Sequence, residues 1–109
     1  MMKIELELEI TNKALKQYKK LKKENQNEIL EIIDILLKDI MNNAEKHKKE
    51  FKEGEEYPEE GLGRPEKLKR PLTGYWSRRI DKKNRLVYRV KIEENVIEIL
   101  SFYGHYNDK

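Results

Sequence analysis

Arg85-Leu86-Val87-Tyr88-Arg89-Val90-Lys91-Ile92 places Leu86, Tyr88 and Val90 on one side of an extended chain and Arg85, Val87, Arg89 and Lys91 on the other. A period of two over eight residues marks a strand with one face toward a core and the other left basic. Upstream, Tyr75 to Ile80 alternates in the same way, Tyr75, Ser77 and Arg79 against Trp76, Arg78 and Ile80. Asp81-Lys82-Lys83-Asn84 joins the two as a hairpin. Downstream, Glu93-Glu94-Asn95 turns into a further strand over Val96 to Tyr103.

Met2 to Ile10 is a fourth strand, with Ile4, Leu6, Leu8 and Ile10 expected on its buried side. Thr11 or Asn12 can cap a helix carrying Ala14, Leu15, Tyr18 and Leu21, which breaks at Lys23-Glu24-Asn25. In a second helix Ile29, Ile32, Ile33, Leu36, Leu37 and Ile40 recur at helical spacing, and Leu30, Ile35 and Met41 widen the stripe. The order β-α-α-β-β-β predicts an α+β fold, two helices packed on one face of a twisted, mainly antiparallel sheet. From Asn42 to Phe51 the apolar period fades, which predicts a protruding, solvated helix end fraying near Gly54. Tyr57 to Gly63, with Pro65 and Pro71 beyond it, reads as a loop.

At 109 residues the chain supports one domain, 1–109, with a modest core. Only 37% of it is hydrophobic and 41% is charged, so the core must come from well-patterned elements. No apolar run approaches the roughly 18 residues of a membrane span, and the alternating N-terminus does not suit a signal peptide. A cytoplasmic protein without membrane contact is expected. With no cysteine and only two histidines, His47 and His105, neither disulfides nor a metal cluster are expected, and no cofactor.

Charge is unevenly placed. All six arginines fall between Arg64 and Arg89, whereas eighteen lysines are spread over most of the chain. Residues 64–91 carry eleven basic side chains against Glu66 and Asp81, a local charge of +9 in a chain of net charge +3. Arginine's planar fork grips two phosphate oxygens at once, which lysine cannot do. A basic stretch inside an otherwise acidic chain is the footprint of a site for a polyanion, RNA or DNA above all. A solvated basic sheet edge that discourages aggregation is the plainer reading of the same residues.

One histidine near the C-terminus, one carboxylate within the basic stretch and several arginines form a minimal kit for RNA cleavage without a metal. A carboxylate takes the 2′-OH proton, guanidinium groups stabilise charge on phosphorus, and imidazolium protonates the leaving 5′ oxygen. Glu66, on Arg64-Pro65-Glu66-Lys67-Leu68-Lys69, is the only glutamate in the stretch, and His105 lies in Gly104-His105-Tyr106. Taken singly, Glu66 reads more simply as a surface salt-bridge partner and His105 as an exposed tail histidine, so neither is specific alone.

Gly61-Leu62-Gly63-Arg64-Pro65-Glu66-Lys67-Leu68-Lys69, Leu72-Thr73-Gly74-Tyr75-Trp76-Ser77-Arg78-Arg79-Ile80, Asn84-Arg85-Leu86-Val87-Tyr88 and His105-Tyr106 together resemble the YoeB/Txe family of RelE-like toxins. The resemblance is dense from Pro58 to Tyr88 and again at His105-Tyr106. It implies a RelE-like, microbial-ribonuclease-like fold and an mRNA interferase that cuts message in the A site of the 70S ribosome. It also implies silencing by a cognate acidic, YefM-like antitoxin and leaves room for a homodimer. By the same resemblance Glu66 is the general base and His105 the general acid. Arg79 and Arg85 clamp the scissile phosphate, Lys69 stands beside them, and Tyr106 holds or stacks on the substrate. Trp76 is expected as a core or dimer-contact aromatic and Arg78 in a structural or partner ion pair. Two departures stand out: Asn107-Asp108-Lys109 follow Tyr106, with Tyr103-Gly104 ahead of His105, and residues 41–57 form a charged insertion longer than the usual link. A catalytically silent binder of the same superfold, such as a ParE-like gyrase inhibitor, and a plain nucleic-acid-binding module are the alternatives. Neither needs Glu66, Arg79, Arg85 and His105 together.

Overall fold

The computed structural model describes residues 6–50, 52 and 57–103. Strand β1 (Glu7–Ile10) leads into helix α1 (Asn12–Lys23) and helix α2 (Asn27–Lys48). Four more strands follow: β2 (Glu66–Lys67), β3 (Trp76–Arg79), β4 (Arg85–Lys91) and β5 (Val96–Ser101). They form one sheet in the order β1-β5-β4-β3-β2. Only the β1–β5 pair is parallel, and β2, β3, β4 and β5 run antiparallel to their neighbours. The expected class therefore holds, with one added element. The two-residue strand β2 lies where a loop was expected, because two residues are too few for any period to show.

Thr11 caps α1, its hydroxyl accepting the Ala14 N–H at 3.1 Å and donating to the Leu100 carbonyl at 2.9 Å. One side chain thus satisfies a helix end and fastens it to β5. The helix stops where Asn25 adopts φ 56°, and Gln26 N–H returns to the Leu21 carbonyl at 3.0 Å. In α2 the residues Ile33, Leu36, Ile40 and Ala44 are buried, continuing one stripe onto the sheet residues Leu86, Tyr88, Ile97 and Ile99 and onto Phe102 just past β5. Trp76 packs against this core from its edge, as expected of it.

Two expectations fail at the rim. Leu8 and Ile10 are 37% and 42% exposed although they pair with the buried Ile97 and Ile99. They point to the helix side, but β1 is the outermost strand and α1 packs over β5, so cover runs out before it reaches them. Ile35, counted in the α2 stripe, is likewise exposed. The end of α2 differs in the opposite sense. Asn43 and Ala44 are buried, the His47 ring meets Tyr57 edge-on at 6.2 Å, and Lys48 Nζ donates to the Ile92 carbonyl at 2.6 Å. Up to Lys48 the supposed protrusion is a packed part of the fold; Phe51 and residues 53–56 lie outside the described residues.

Candidate phosphate-binding and catalytic site

Residues directly opposite on antiparallel strands share a face, so the register fixes which side chains meet. Arg79 pairs with Arg85, Ser77 with Val87, and Glu66 with Ser77. Glu66, Ser77, Arg79 and Arg85 consequently stand together on the face away from the helices. Arg85 Nη1 donates to Glu66 Oε1 at 3.1 Å and to Ser77 Oγ at 3.3 Å. The Glu66 side chain is 63% exposed and that of Arg85 24%, so the carboxylate is fixed by its partner yet open to a substrate.

The hairpin between the arginines is held by Asp81. Its Oδ1 accepts the N–H groups of Lys83 and Asn84 at 2.8 and 2.7 Å, and its Oδ2 accepts from Asn84 Nδ2 at 3.0 Å. Burial raises the Asp81 pKa, but these bonds from Asn84 and Lys83 outweigh it and hold the carboxyl below its ordinary value. A turn fixed in this way keeps Arg79 and Arg85 opposed. Like charges facing each other across a sheet are unfavourable, and one glutamate offsets only one of the two. Two opposed guanidinium forks with a single carboxylate leave a net positive charge, the kind of arrangement that can accept the oxygens of a phosphate.

The loop leading to Glu66 is fastened by a residue of the opposite face. The side chain of Arg78 is fully buried, and all five of its N–H donors are used. Nε donates to Tyr88 Oη at 2.9 Å, Nη1 to Asp39 Oδ2 at 2.5 Å and the Leu62 carbonyl at 3.0 Å, Nη2 to Glu59 Oε1 at 2.6 Å and the Glu60 carbonyl at 2.9 Å. Tyr88 also donates to Glu59, whose side chain is fully buried. Burial disfavours the charged guanidinium, but its bonds to Tyr88, Glu59 and Asp39 reverse the balance and raise its pKa. The same burial, helped by Glu59, raises that of Tyr88 and keeps the phenol protonated.

Around this centre the loop has little freedom. Asn43 Nδ2 reaches Glu59 and the Pro58 carbonyl at 2.8 and 3.2 Å, His47 Nε2 meets Glu60 at 3.0 Å, and Arg79 N–H donates to the Gly63 carbonyl at 2.6 Å. Gly61 and Gly63 have φ of 125° and 78°, where side chains are strained. A Cβ on Gly61 would overlap the Asp39 carboxylate, and one on Gly63 would stand 2.9 Å from Leu36 Cδ2. The expectation of a structural ion pair at Arg78 is met. Its partner Asp39 sits one turn from Leu36 and Asn43 on the inward side of α2, a legible sign, whereas Glu59 carried none.

The remaining expected residues are less closely joined. Lys69 lies exposed in the turn between β2 and β3, and no bond links it to Glu66, Arg79 or Arg85. His105 and Tyr106 lie outside the described residues; β5 ends at Ser101, the register partner of Val87.

With this geometry in view, the likenesses to known proteins are specific. The family model for the YoeB-like toxin of bacterial type II toxin-antitoxin systems matches residues 10–106. The toxin YoeB of a Synechocystis species is 36% identical over 83 residues, 76% of this chain and 78% of that one. A YoeB–YefM heterotetramer from Staphylococcus aureus superposes with TM-score 0.70 at 38% identity, covering 93% of this chain and 98% of that one. The YoeB dimer of the same organism superposes with TM-score 0.72 at 38% identity, with the same coverage. Escherichia coli YafQ, at 14% identity and TM-score 0.64, shares the fold. By the family model and these relatives, the chain belongs to the YoeB-like toxins of bacterial type II toxin-antitoxin systems.

Proposed function

We propose that this toxin is a ribosome-dependent endoribonuclease that cuts mRNA in the A site of the 70S ribosome. The observation that carries the reading is the opposed Arg79–Arg85 pair with the Glu66 carboxylate 3.1 Å from Arg85 on an accessible face. Glu66 takes the proton of a ribose 2′-OH, whose oxygen attacks the adjacent phosphorus. Arg79 and Arg85 take up the charge that builds on the phosphoryl oxygens, with Lys69 adding positive potential nearby. His105 protonates the departing 5′ oxygen and Tyr106 holds the nucleotide. The products are a 2′,3′-cyclic phosphate and a 5′-hydroxyl, and the chemistry is carried by side chains without a metal or cofactor. The setting is the cytoplasm, where an acidic antitoxin of the YefM kind covers the basic face, and the toxin takes part in dimers as its Staphylococcus relative does.

Ribosomes stalled with a defined A-site codon test this directly. The expected products carry the cyclic phosphate and appear only when ribosomes are present. Ribosome binding without any new RNA ends would instead identify a silent binder. For His105, single-turnover cleavage falls as pH rises through the imidazole pKa in the complex, and His105→Ala flattens that limb. A 5′-thio leaving group, which hardly needs a proton, is cut nearly as well by His105→Ala as by the parent. Equal impairment on the thio substrate would make His105 a positioning residue.

A further inference from the structure

Further along the same face lies a second cluster that the catalytic scheme leaves unused. The Arg89 guanidinium carbon stands 4.8 Å from the centre of the Tyr75 ring. Arg89 Nη2 donates to Glu98 Oε1 at 2.9 Å, and Tyr75 Oη donates to the same oxygen at 2.9 Å. Arg89 is paired with Glu98 across β4 and β5, and its side chain remains 36% exposed. Its buried Nε has no hydrogen-bond partner, so this guanidinium is held without being saturated. Burial and the bond to Glu98 both raise the Tyr75 pKa, which keeps the phenol a donor.

The position relative to the clamp is set by the strands. Arg89 follows Arg85 by four residues on β4, and Tyr75 precedes Arg79 by four, immediately ahead of β3. At the rise of an antiparallel strand that separation is about 13 Å, with the uncharged and fully buried Ser77 and Val87 lying between on the same face. The opposed arginines of the hairpin and the stacked plane therefore follow one another along one face of the sheet. The clamp joins two guanidinium groups with one carboxylate. The second cluster pairs one with one, so it has no net charge to offer a phosphate. A flat, neutralised cation stacked on a ring suits instead the face of an uncharged aromatic heterocycle, as arginine planes and aromatic rings do in single-stranded RNA recognition.

We infer that Tyr75, Arg89 and Glu98 form a nucleobase platform that stacks on the base of the nucleotide next to the scissile phosphate and so contributes to codon preference. The inference rests on the endoribonuclease reading above. A polypeptide partner seated on the same cluster is the competing occupant, and the experiment separates them.

Programmed ribosomes carry an mRNA with 2-aminopurine on one side or the other of the scissile phosphate and a 2′-deoxy ribose at the attacking position, so that the strand stays whole. The parent toxin is expected to quench one of the two probes. Tyr75→Leu and Arg89→Met should abolish that quench, whereas Tyr75→Phe, which keeps the ring, retains most of it and controls for folding. On cleavable message the first two variants should be slower by about five- to a hundredfold, the worth of one stacked base. On message abasic at that nucleotide, parent and variants should be equally slow. Unchanged quenching in Tyr75→Leu and Arg89→Met overturns the platform, as does the same fractional loss on abasic and intact message. Weakened antitoxin binding with unaltered quenching assigns the cluster to the polypeptide partner. A parent that quenches the probe yet cuts no message sinks the nuclease reading and leaves the platform standing.

Discussion

Arg78 and Arg79 are adjacent on β3, and the pleat sends one inward and the other into solvent. Arg78 has every donor satisfied by Tyr88, Asp39, Glu59 and two loop carbonyls, and so has nothing left for a ligand. Arg79 is exposed and faces a second arginine across the hairpin. Identical chemistry thus meets opposite surroundings: one guanidinium is enclosed by acceptors and built into the architecture, and the other, set against its own kind, keeps its donors for a ligand in the function proposed above. Local charge alone does not separate the two, because both count equally toward the basic stretch.

That contrast breaks most visibly at the buried arginine. Arg78→Ala leaves the buried Glu59 and its neighbour Asp39 without their cation, and losing one partner of a buried pair costs about 3–5 kcal/mol. Urea unfolding should show the loss, and a change below about 1 kcal/mol would mean that the acids rearrange freely. Arg79→Ala should do the reverse, leaving stability within about 0.5 kcal/mol while slowing message cleavage by about two to three orders of magnitude. If Arg79→Ala unfolds the protein as readily as Arg78→Ala, the division between the two faces is wrong.

Between these extremes stands Gly63→Ala. The new methyl would meet Leu36 and the Arg78 Cβ at a backbone angle that disfavours side chains, which costs about 1–3 kcal/mol. Because Arg79 N–H is bonded to the Gly63 carbonyl, cleavage should fall beyond what the lost stability explains. A stable variant with full activity would uncouple this loop from the site.

The gentlest probe is acid. Burial pushes the Asp39 pKa up, but the Arg78 hydrogen bond and charge prevail, so the folded value lies below the ordinary 3.8. A carboxylate that releases its proton more readily when folded contributes stability that is whole above 3.8 and lost as pH falls through the lower folded value. Asp39→Asn should therefore show a shallower loss of stability than the parent below that pH. Parallel curves would remove Asp39 from the acid response.

Much of the framework was legible because burial follows period. The alternation in Arg85–Lys91 and Trp76–Arg79 assigned both faces of the sheet, and the inward turn of Arg78 made its ion pair readable before any partner was known. Period says which way a side chain points, not how far the covering layer extends, and so Leu8 and Ile10 were expected inside. It is equally silent where contact is polar. Asn43, His47 and Glu59 join α2 to the loop through hydrogen bonds, leaving a sequence that reads as solvent-exposed. At the site, Glu66 was marked by composition, but its place beside Arg85 depends on the register of β2 on β3 and of β3 on β4, which no local pattern encodes. The assignments of His105 and Tyr106 rest on resemblance.

The strand order also constrains when the molecule can exist. β5 lies between β1 and β4, and the cap bond from Thr11 to Leu100 spans 89 positions. Until Val96–Ser101 is available, β1 has no partner and β4 presents a free edge. Contacts this remote in sequence close slowly and late. During synthesis, the arginine hairpin leaves the ribosome before the strand that joins its sheet to β1 and the α1 cap. Arrival of β5 is then the event that turns a basic nascent chain into a closed five-stranded sheet.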